Sequence, residues 1–259
     1  MTVEKSPGRH QRRWTNDELN FLRERYGKIS YRELADELGR TFESVKKKAQ
    51  RLGLTPKCLA AEMRQNWRPN PTENQVLIGS LLGDGSVNKV GVFREEHSIN
   101  QKDYLYWKGE KLVGLVPRFI FRELRANWTF KKRKLIAMYS RTFDCFGELR
   151  NEWYPEGKKI IPESIWQIEP LGLAIWFQDD GNKGKAGFRF ATHAFSKKDH
   201  RLLQNVLQEK FNIKADIGLH RVQGKQFRYL RMKKNPARRF EEIIAAFVHS
   251  SMQYKLHCH

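Results

Sequence analysis

Two sets of aspartates follow apolar helices at places where an acid is unfavourable. The stretch LIGSLLGDGS, residues 77–86, ends in Asp84, and the stretch LAIWFQDDGN, residues 173–182, ends in Asp179 and Asp180. Because the C-terminal end of a helix carries a partial negative charge, an exposed acid there costs about 0.3–1 kcal/mol. Because an aspartate occurs at this unfavourable position in both helices, we infer that these acids have a function.

A divalent cation would explain the acids. Both helices are apolar nearly all round, so each must be covered on every side. Parallel packing, with Gly79 and Ala174 permitting close approach, would bring Asp84 and Asp180 together at one end. Two such carboxylates raise each other's pKa, whereas Mg²⁺ accepts carboxylate and carbonyl oxygens as ligands. The chemistry indicated is phosphodiester hydrolysis, in which metals activate water and stabilise the leaving oxygen.

The alternative is that each Asp–Gly pair only forms a turn after its helix. One copy would not decide between the two interpretations. Two copies at matching positions, Asp84 and Asp180, favour the metal site.

The two motifs belong to a unit that occurs twice along the chain. Thr72 with Gln75 fits the N-cap of the first motif helix, and Pro170 fits the first turn of the second. Strand-like stretches and amphipathic helices follow each motif, and Gln223–Gly224 fits the turn of the last hairpin. The pattern predicts an α+β fold with two similar halves. The strand-like stretches are residues 90–99, 134–143, 186–195 and 216–232, and the amphipathic helices include residues 197–211 and 237–249.

The composition points to a polyanionic partner. The chain of 259 residues has 49 Lys and Arg against 29 Asp and Glu, a formal net charge of +20 that is spread over the whole length. Nucleic acid is the leading candidate, because solubility alone needs a net charge of only about 2–8. No apolar run approaches a membrane span, and Cys58, Cys145 and Cys258 form neither a disulfide framework nor a CxxC pair. An intracellular protein without a membrane partner is expected.

Residues 14–54 carry three short helical patterns with caps at Thr15, Ser30 and Thr41. The stretch resembles the Myb/SANT-like helix-turn-helix modules, with a tryptophan at the head of the first helix. A basic face on the third helix suits contact with DNA, and a solvated helix face is the alternative. The residues of this basic face are Ser44, Lys47, Lys48 and Arg51.

The motifs LIGSLLGDG and LAIWFQDDG resemble those of the LAGLIDADG homing endonucleases, and the order of elements is similar to the single-chain, intron-encoded members. The resemblance implies duplicated αββαββα units that form a pseudo-twofold saddle, with two antiparallel sheets in the DNA major groove. It also implies that Asp84 and Asp180 are catalytic and metal-binding, with the carbonyls of Gly83 and Asp179 as further ligands. The first motif departs from the family pattern at Leu82 and Gly83, but its final Asp–Gly is intact.

The same resemblance points to further site residues. Single-chain members carry a catalytic lysine in each half, and the stretches KKIIPESI and MQYKL point to Lys159 and Lys255. Near a metal centre such a lysine would organise water or stabilise developing phosphate charge, and a surface lysine is the alternative. A metal-proximal shell is expected at His97, Gln101 and Thr192.

Basic side chains on the predicted strands form a further group. Phe188 and Phe190 share one face of their strand, and Arg189 and His193 share the other. Basic strand faces would fix the phosphate register, although any single member of the group could be only a solvated charge. The predicted DNA-facing residues are Arg94, Arg189, His193, Arg221, Lys225, Arg228 and Arg231.

The resulting hypothesis is a Mg²⁺-dependent double-strand DNA endonuclease of homing type, with Mn²⁺ as a substitute, acting as a monomer on a long non-palindromic site. The expected organisation is a DNA-binding module at 1–54, a linker at 55–72 and two repeats at 73–168 and 169–259. One alternative is an RNA maturase that assists splicing, with intron RNA as its partner. A non-catalytic DNA-binding regulator is the other, and the presence of both acids and both lysines argues against it.

Overall fold

The computed structural model describes residues 13–27, 29, 31–54, 61, 64–125, 132–184, 186–222 and 224–256. The chain divides into two compact units, Met1–Asn66 and Trp67–His259. Within the described ranges, no helix combines the length and apolar character needed to cross a membrane. The predicted cap Ser30, the predicted turn residue Gln223 and residues 55–60 of the predicted linker lie outside the described residues.

The smaller unit contains three short helices, α1 (Asn16–Arg25), α2 (Tyr31–Glu37) and α3 (Phe42–Arg51). The Thr15 hydroxyl accepts a hydrogen bond from the Glu18 amide, and the Glu18 carboxylate accepts one from the Thr15 amide, so the predicted capping box is present. The apolar faces of the helices meet in one core. Its buried residues are Leu22, Tyr26, Leu34, Ala35, Leu38, Val45 and Ala49.

The larger unit repeats one order of elements twice, which confirms the predicted α+β duplication. The first half consists of α4 (Pro71–Leu82), β1 (Ser86–Val87), β2 (Val92–Ser98), α5 (Lys102–Lys111), β3 (Arg118–Arg125), β4 (Lys132–Thr142) and α6 (Cys145–Trp153). The second half consists of α7 (Pro170–Asp180), β5 (Gly181–Gly184), β6 (Gly187–Phe190), α8 (Lys197–Phe211), β7 (Asp216–Val222), β8 (Lys225–Lys233) and α9 (Lys234–Ile244). Each half forms a four-stranded antiparallel sheet, with strand orders β1-β2-β4-β3 and β5-β6-β8-β7.

The two motif helices, α4 and α7, pack in parallel at the centre of this unit. A Cβ added to Gly172 would lie 2.8 Å from the Gln75 side-chain oxygen, and one added to Gly79 would lie 2.5 Å from the Gly172 carbonyl. A Cβ on Gly83 would lie 2.5 Å from the Asp179 Cβ. Contacts therefore advance in the same direction along both helices. Gly79 permits the close approach as predicted, whereas its partner is Gly172 and not Ala174.

The ends of the motif helices differ from the sequence prediction in two respects. The N-cap of α4 is Asn70 in a capping box with Glu73, and Pro71 occupies the first turn, so the predicted Thr72 cap is wrong. The Asn70 cap is favoured because proline fits the first helical position, where an amide proton is not needed. Gly83 and Gly181, with φ of −99° and −80°, do not adopt the left-handed conformation that commonly closes a helix.

Equivalent positions in the two halves can be read from strand register and burial. Ser86 pairs with Arg94 in the first sheet, and Asn182 pairs with Arg189 in the second. The inward residues Phe93, Glu95 and His97 therefore correspond to the inward residues Phe188, Phe190 and Thr192. The core is apolar at two of these places in the second half and at only one in the first.

Candidate metal centre and nucleic-acid interface

The acids Asp84 and Asp180 lie at adjoining ends of the parallel motif helices. The Asp84 side chain is 42% exposed, whereas Asp180 is half-buried. Burial is the largest cause that raises the pKa of Asp180, to about 7, and the nearby charge of Asp84 is the next. The structure therefore places the two predicted acids at the same end of the helix pair.

Asp179 is turned into the protein, and its side chain is fully buried. Its carboxylate accepts a hydrogen bond from the Tyr104 hydroxyl at 2.8 Å, and the Lys108 ammonium lies 3.1 and 3.0 Å from its two oxygens. The same ammonium also donates to Glu95, which is buried as well. Burial raises the pKa of Asp179, whereas the Lys108 ammonium and His97 hold the pKa of Glu95 below its usual range against the effect of burial. Burial alone would lower the pKa of Lys108, but the two carboxylates raise it.

His97 joins this buried cluster to Asp84. Its Nε2 lies 2.6 Å from a Glu95 oxygen, and its Nδ1 lies 3.6 Å from Asp84 and 3.3 Å from the Gln101 side-chain oxygen. Burial opposes protonation, but Glu95 and Asp179 together raise the pKa of His97. The predicted residues His97 and Gln101 are therefore near the acids.

Thr192, predicted for the same shell, has a different environment. Its buried hydroxyl accepts a hydrogen bond from the Leu230 amide at 3.0 Å and lies 2.9 Å from His200 Nε2. Both partners belong to the second half, so the hydroxyl tethers strand β8 to helix α8. The structure thus gives the hydroxyl two local partners, and the place of Thr192 in a metal-proximal shell stays a prediction.

Lys159 and Lys255 meet the ends of the two motif helices. Lys159 Nζ donates to the carbonyls of Gly83 and Gly85 at 3.2 and 3.0 Å. Lys255 Nζ donates to the carbonyls of Gln178 and Asp179 at 2.5 and 3.2 Å. Burial lowers the pKa of both lysines, although the surrounding aspartates oppose this effect. The carbonyls of Gly83 and Asp179, predicted as metal ligands, thus each accept a hydrogen bond from a lysine.

The donor set suits a hard divalent cation. Asp84 and Asp180 offer carboxylate oxygens, and the two lysines donate to backbone carbonyls and so leave these acids without a bound ammonium in the contacts described. Asp84, His97 and Asp179 form a second set, in which one ligand atom from each lies within 4.8 Å of the others. In that set, however, Lys108 already contacts both oxygens of Asp179. Asp84 and Asp180 are therefore the acids whose carboxylates are not occupied by an ammonium in the contacts described.

The exposed face of the second sheet carries basic and aromatic side chains. Arg189 lies over the Tyr229 ring, with its guanidinium carbon 5.5 Å from the ring centroid, and is exposed. His193 Nδ1 donates to the Arg228 carbonyl at 2.8 Å, and its ring packs beside His220 at a centroid distance of 5.0 Å. A cavity of about 270 Å³ is lined by Asn182, Arg189, Phe190, Ala191, His193, His220 and Tyr229.

Strand register divides the basic residues that were predicted as one group on the last hairpin. Arg189 pairs with Arg231, and both side chains are exposed, whereas Phe190 pairs with Leu230 in the core. Arg228 has the same parity as Leu230 on β8, and Arg221 lies on the corresponding face of β7. Arg221 and Arg228 are thus on the opposite face from Arg189 and Arg231. The side chain of Lys225 is outside the described part of the chain.

The first sheet presents a comparable arrangement, which includes the strand β3 that was not predicted from the sequence. The guanidinium groups of Arg94 and Arg122 lie 5.6 and 5.5 Å from the centroid of the Tyr139 ring. Arg94 also forms an ion pair with Glu96 at 2.8 Å. Arg122 lies on β3, whose sequence RFIFRELR has the alternation of a strand and could have revealed it.

The predicted basic stripe of the smaller unit surrounds a concavity on α3. Lys47 and Arg51 are exposed, and Ser44 and Lys48 are half-buried. Arg40 is held by an ion pair with Glu18 at 2.9 Å and lies over the Trp14 ring. The cavity of about 480 Å³ is lined by Trp14, Arg40, Glu43, Ser44, Lys47, Lys48 and Arg51.

A family model and two relatives match this sequence. The model of the LAGLIDADG DNA endonuclease family matches residues 74–240. The chain is 31% identical over 196 residues to the cytochrome b mRNA maturase bI2 of Debaryomyces hansenii, covering 70% of this chain and 72% of the maturase. It is also 31% identical over 143 residues to the intron-encoded endonuclease ai4 of Dictyostelium discoideum, covering 54% of this chain and 89% of that protein.

A solved structure shares the fold. The homing endonuclease I-WcaI, bound to its DNA recognition sequence, matches with a TM-score of 0.67 at 23% sequence identity. The match covers 81% of this chain and 97% of that chain. The architecture of two halves around paired helices is therefore common to both proteins.

Proposed function

Because the chain belongs to the LAGLIDADG DNA endonuclease family, we propose that it is a site-specific, metal-dependent endonuclease of homing type that breaks both strands of DNA. The observation that carries the proposal is the position of Asp84 and Asp180 at adjoining ends of the parallel motif helices, where Lys159 and Lys255 donate to the helix-end carbonyls. A divalent cation, Mg²⁺ or Mn²⁺, balances the negative charge of the two acids and completes the site.

Asp84 and Asp180 hold the metal through their carboxylate oxygens. When bound, the ion supplies an activated water and stabilises the oxygen that leaves the scissile phosphate. Lys159 and Lys255 neutralise the negative ends of the motif helices and add positive charge where the phosphate must lie. The protein residues thus bind the ion, fix the acids and attract the substrate.

The exposed faces of the two sheets bind the DNA on either side of the metal centre. Arg94 and Arg122 in the first half, and Arg189 and Arg231 in the second, contact phosphates, and neighbouring side chains read the base edges. Because the two halves are unequal and linked in one chain, the protein can act as a monomer on a non-palindromic DNA site. It acts inside the cell. The Myb/SANT-like module lengthens the recognised sequence through Lys47 and Arg51 on α3.

A maturase role is the second candidate function. It is favoured by the relative from Debaryomyces hansenii, which is called an mRNA maturase and is aligned over 70% of this chain. Such a protein would bind its intron RNA, and the acids Asp84 and Asp180 would not be needed for splicing.

One experiment tests the proposal. The purified chain is incubated with a plasmid that carries its own uninterrupted insertion locus, with Mg²⁺ or with EDTA. We expect a linear product at one site with Mg²⁺ only, and loss of at least 10³-fold in rate for Asp84→Asn and Asp180→Asn. Asp103→Asn, an exposed acid on α5, is the matched control and should cut normally. Splicing support that survives Asp84→Asn, together with absence of cleavage by the unaltered chain, would favour the maturase.

A further inference from the structure

The two halves of the larger unit differ at the positions that surround Asp179. Glu95 corresponds to Phe190, because both follow the register of the first strand pair in their sheets. Lys108 corresponds to Leu203, because each is the seventh residue of the helix that follows, α5 or α8. A charged pair in the first half therefore stands where the second half has two buried apolar side chains.

Asp179 is the counterpart of Gly83, since each precedes the final aspartate of its motif. The charged pair of the first half thus faces an additional carboxylate of the second half. Lys108 Nζ lies 3.0 Å from Asp179 Oδ2 and also donates to Glu95, so one buried ammonium is shared by two buried carboxylates. All three side chains are fully buried.

Among the described residues, one carboxylate oxygen in the buried cluster of Glu95, Lys108 and Asp179 is unpaired. In the described part of the protein, the buried Glu95 Oε2 has no hydrogen-bond partner. His97 connects the cluster to Asp84, since its two ring nitrogens face Glu95 and Asp84. Because His97 joins Glu95 to Asp84, the acids that the Lys108 ammonium neutralises, Glu95 and Asp179, lie beside the candidate metal centre.

We propose that Lys108 is a positioning residue of the metal centre, which holds the Asp179 carboxylate away from the ion and so restricts the carboxylate ligands to Asp84 and Asp180. The inference rests on the proposed function, because it concerns the same ion. Its basis is that Asp84, His97 and Asp179 already lie at ligand spacing, and that the Lys108 ammonium is what occupies Asp179. Without this ammonium Asp179 keeps the Tyr104 hydrogen bond to Oδ1, and its Oδ2 becomes available to a cation.

The test measures binding of Mn²⁺ to the full chain by calorimetry at pH 8, without DNA. Asp179→Asn retains a group that accepts hydrogen bonds from Tyr104 and Lys108, and we expect its affinity for Mn²⁺ to change by less than threefold. Asp180→Asn should lose at least tenfold. An equal loss in Asp179→Asn would overturn the inference, because Asp179 would then be a ligand.

A second variant tests the role of the ammonium directly. Lys108→Met should bind Mn²⁺ at least tenfold more tightly or bind one further ion, and Lys108→Met/Asp179→Asn should return to the wild-type value. Lys111→Met, one turn further along α5 and with its ammonium over Trp107, is the matched control and should bind as wild type. A folded Lys108→Met variant with wild-type affinity and stoichiometry would overturn the inference.

The metal site and the role of Lys108 can be tested separately. If neither Asp84→Asn nor Asp180→Asn weakens Mn²⁺ binding, the proposed metal site itself is wrong. If both weaken it and Asp179→Asn weakens it equally, the metal site stands and only the role of Lys108 is wrong. Should Lys108→Met not fold, the Asp179→Asn measurement decides by itself.

Discussion

Lys159 and Lys255 hold equivalent places in the two halves. Each donates two hydrogen bonds to backbone carbonyls at the end of one motif helix, Lys159 to the first and Lys255 to the second. Four carbonyls at the end of any helix lack a partner within it, and cations are favourable there. The lysines thus offset the negative charge that the acids and the helix C-termini place in the same region.

The first prediction concerns these lysines. Lys159→Met and Lys255→Met should each lower the rate of DNA cleavage by about 10²-fold, the scale seen when one charge-stabilising donor is removed from an active site. Binding of DNA in a gel-shift assay should change by less than fivefold, because the proposed phosphate contacts lie on the sheets. Lys158→Met, the exposed neighbour, is the control for Lys159→Met. Normal cleavage by both variants would remove the lysines from the mechanism.

The second prediction concerns the stability of the metal-free protein between about pH 4 and pH 8. The pKa of Asp180 is raised from 3.8 to about 7. Between these two pH values the folded state therefore keeps a proton that the unfolded state has lost. Stability must therefore fall as the pH rises from about 4 to about 7, and it levels off above that range. Asp180→Asn removes this contribution, and the variant should be a few kcal/mol more stable than wild type at pH 8 but not at pH 4.

Urea denaturation in EDTA at a series of pH values measures this effect. His97 and Asp179, whose pKa values are also raised, contribute to the pH dependence of both proteins, so the difference between wild type and Asp180→Asn isolates Asp180. Addition of Mg²⁺ should restore the stability of wild type at pH 8 but not affect the variant. Parallel stability curves for the two proteins would contradict the prediction.

The third prediction uses two glycines in helices. A Cβ on Gly79 would lie 2.5 Å from the Gly172 carbonyl and 2.8 Å from the Ile175 Cβ, so Gly79→Ala forces the motif helices apart. We expect a loss of about 1–3 kcal/mol in the free energy of unfolding, as for other overpacked cores. Gly147 lies in helix α6 with nothing within 4 Å of an added Cβ. Gly147→Ala should be neutral or stabilise the protein by up to about 1 kcal/mol. Denaturant titration compares the two, and equal effects would show that Gly79 is not a packing requirement.

The sequence predicts the motif helices and their acids because that information is local. An apolar run ending in Asp–Gly is visible without knowledge of the fold, and its recurrence at Asp84 and Asp180 identifies the duplication. The absence of a polar face on either helix indicates that both are buried, whereas their parallel direction is shown by contacts between the two halves, such as that of Gly79 with Gly172. The N-cap was predicted wrongly although the signal was in the sequence, since Asn70 and Thr72 both suit the N-cap and Pro71 favours Asn70.

The cluster around Lys108 could not be predicted for a different reason. Lys108 and Asp179 are 71 positions apart and belong to different halves, so no local pattern pairs them. One signal was available: Glu95 and His97 alternate with Phe93, which placed polar residues at inward positions of a strand. The division of the arginines on the last hairpin likewise depends on register, because Leu230 and Met232 fix which face of β8 is buried.

The last prediction separates the arginines by sheet face. Arg189 and Arg231 are exposed on one face of the second sheet, whereas Arg228 has the parity of the core residue Leu230. If the exposed face holds the DNA backbone, Arg189→Ala and Arg231→Ala should weaken binding uniformly across DNA sequences, and each should reduce the slope of log Kd against log salt by about 1. Arg201→Ala, an exposed arginine on helix α8, is the control and should leave both quantities unchanged. The measurement is fluorescence anisotropy of a labelled duplex between about 50 and 200 mM salt. A loss of slope in Arg228→Ala with none in Arg189→Ala would place the DNA on the opposite face, because counterion release counts only the cations that meet phosphates.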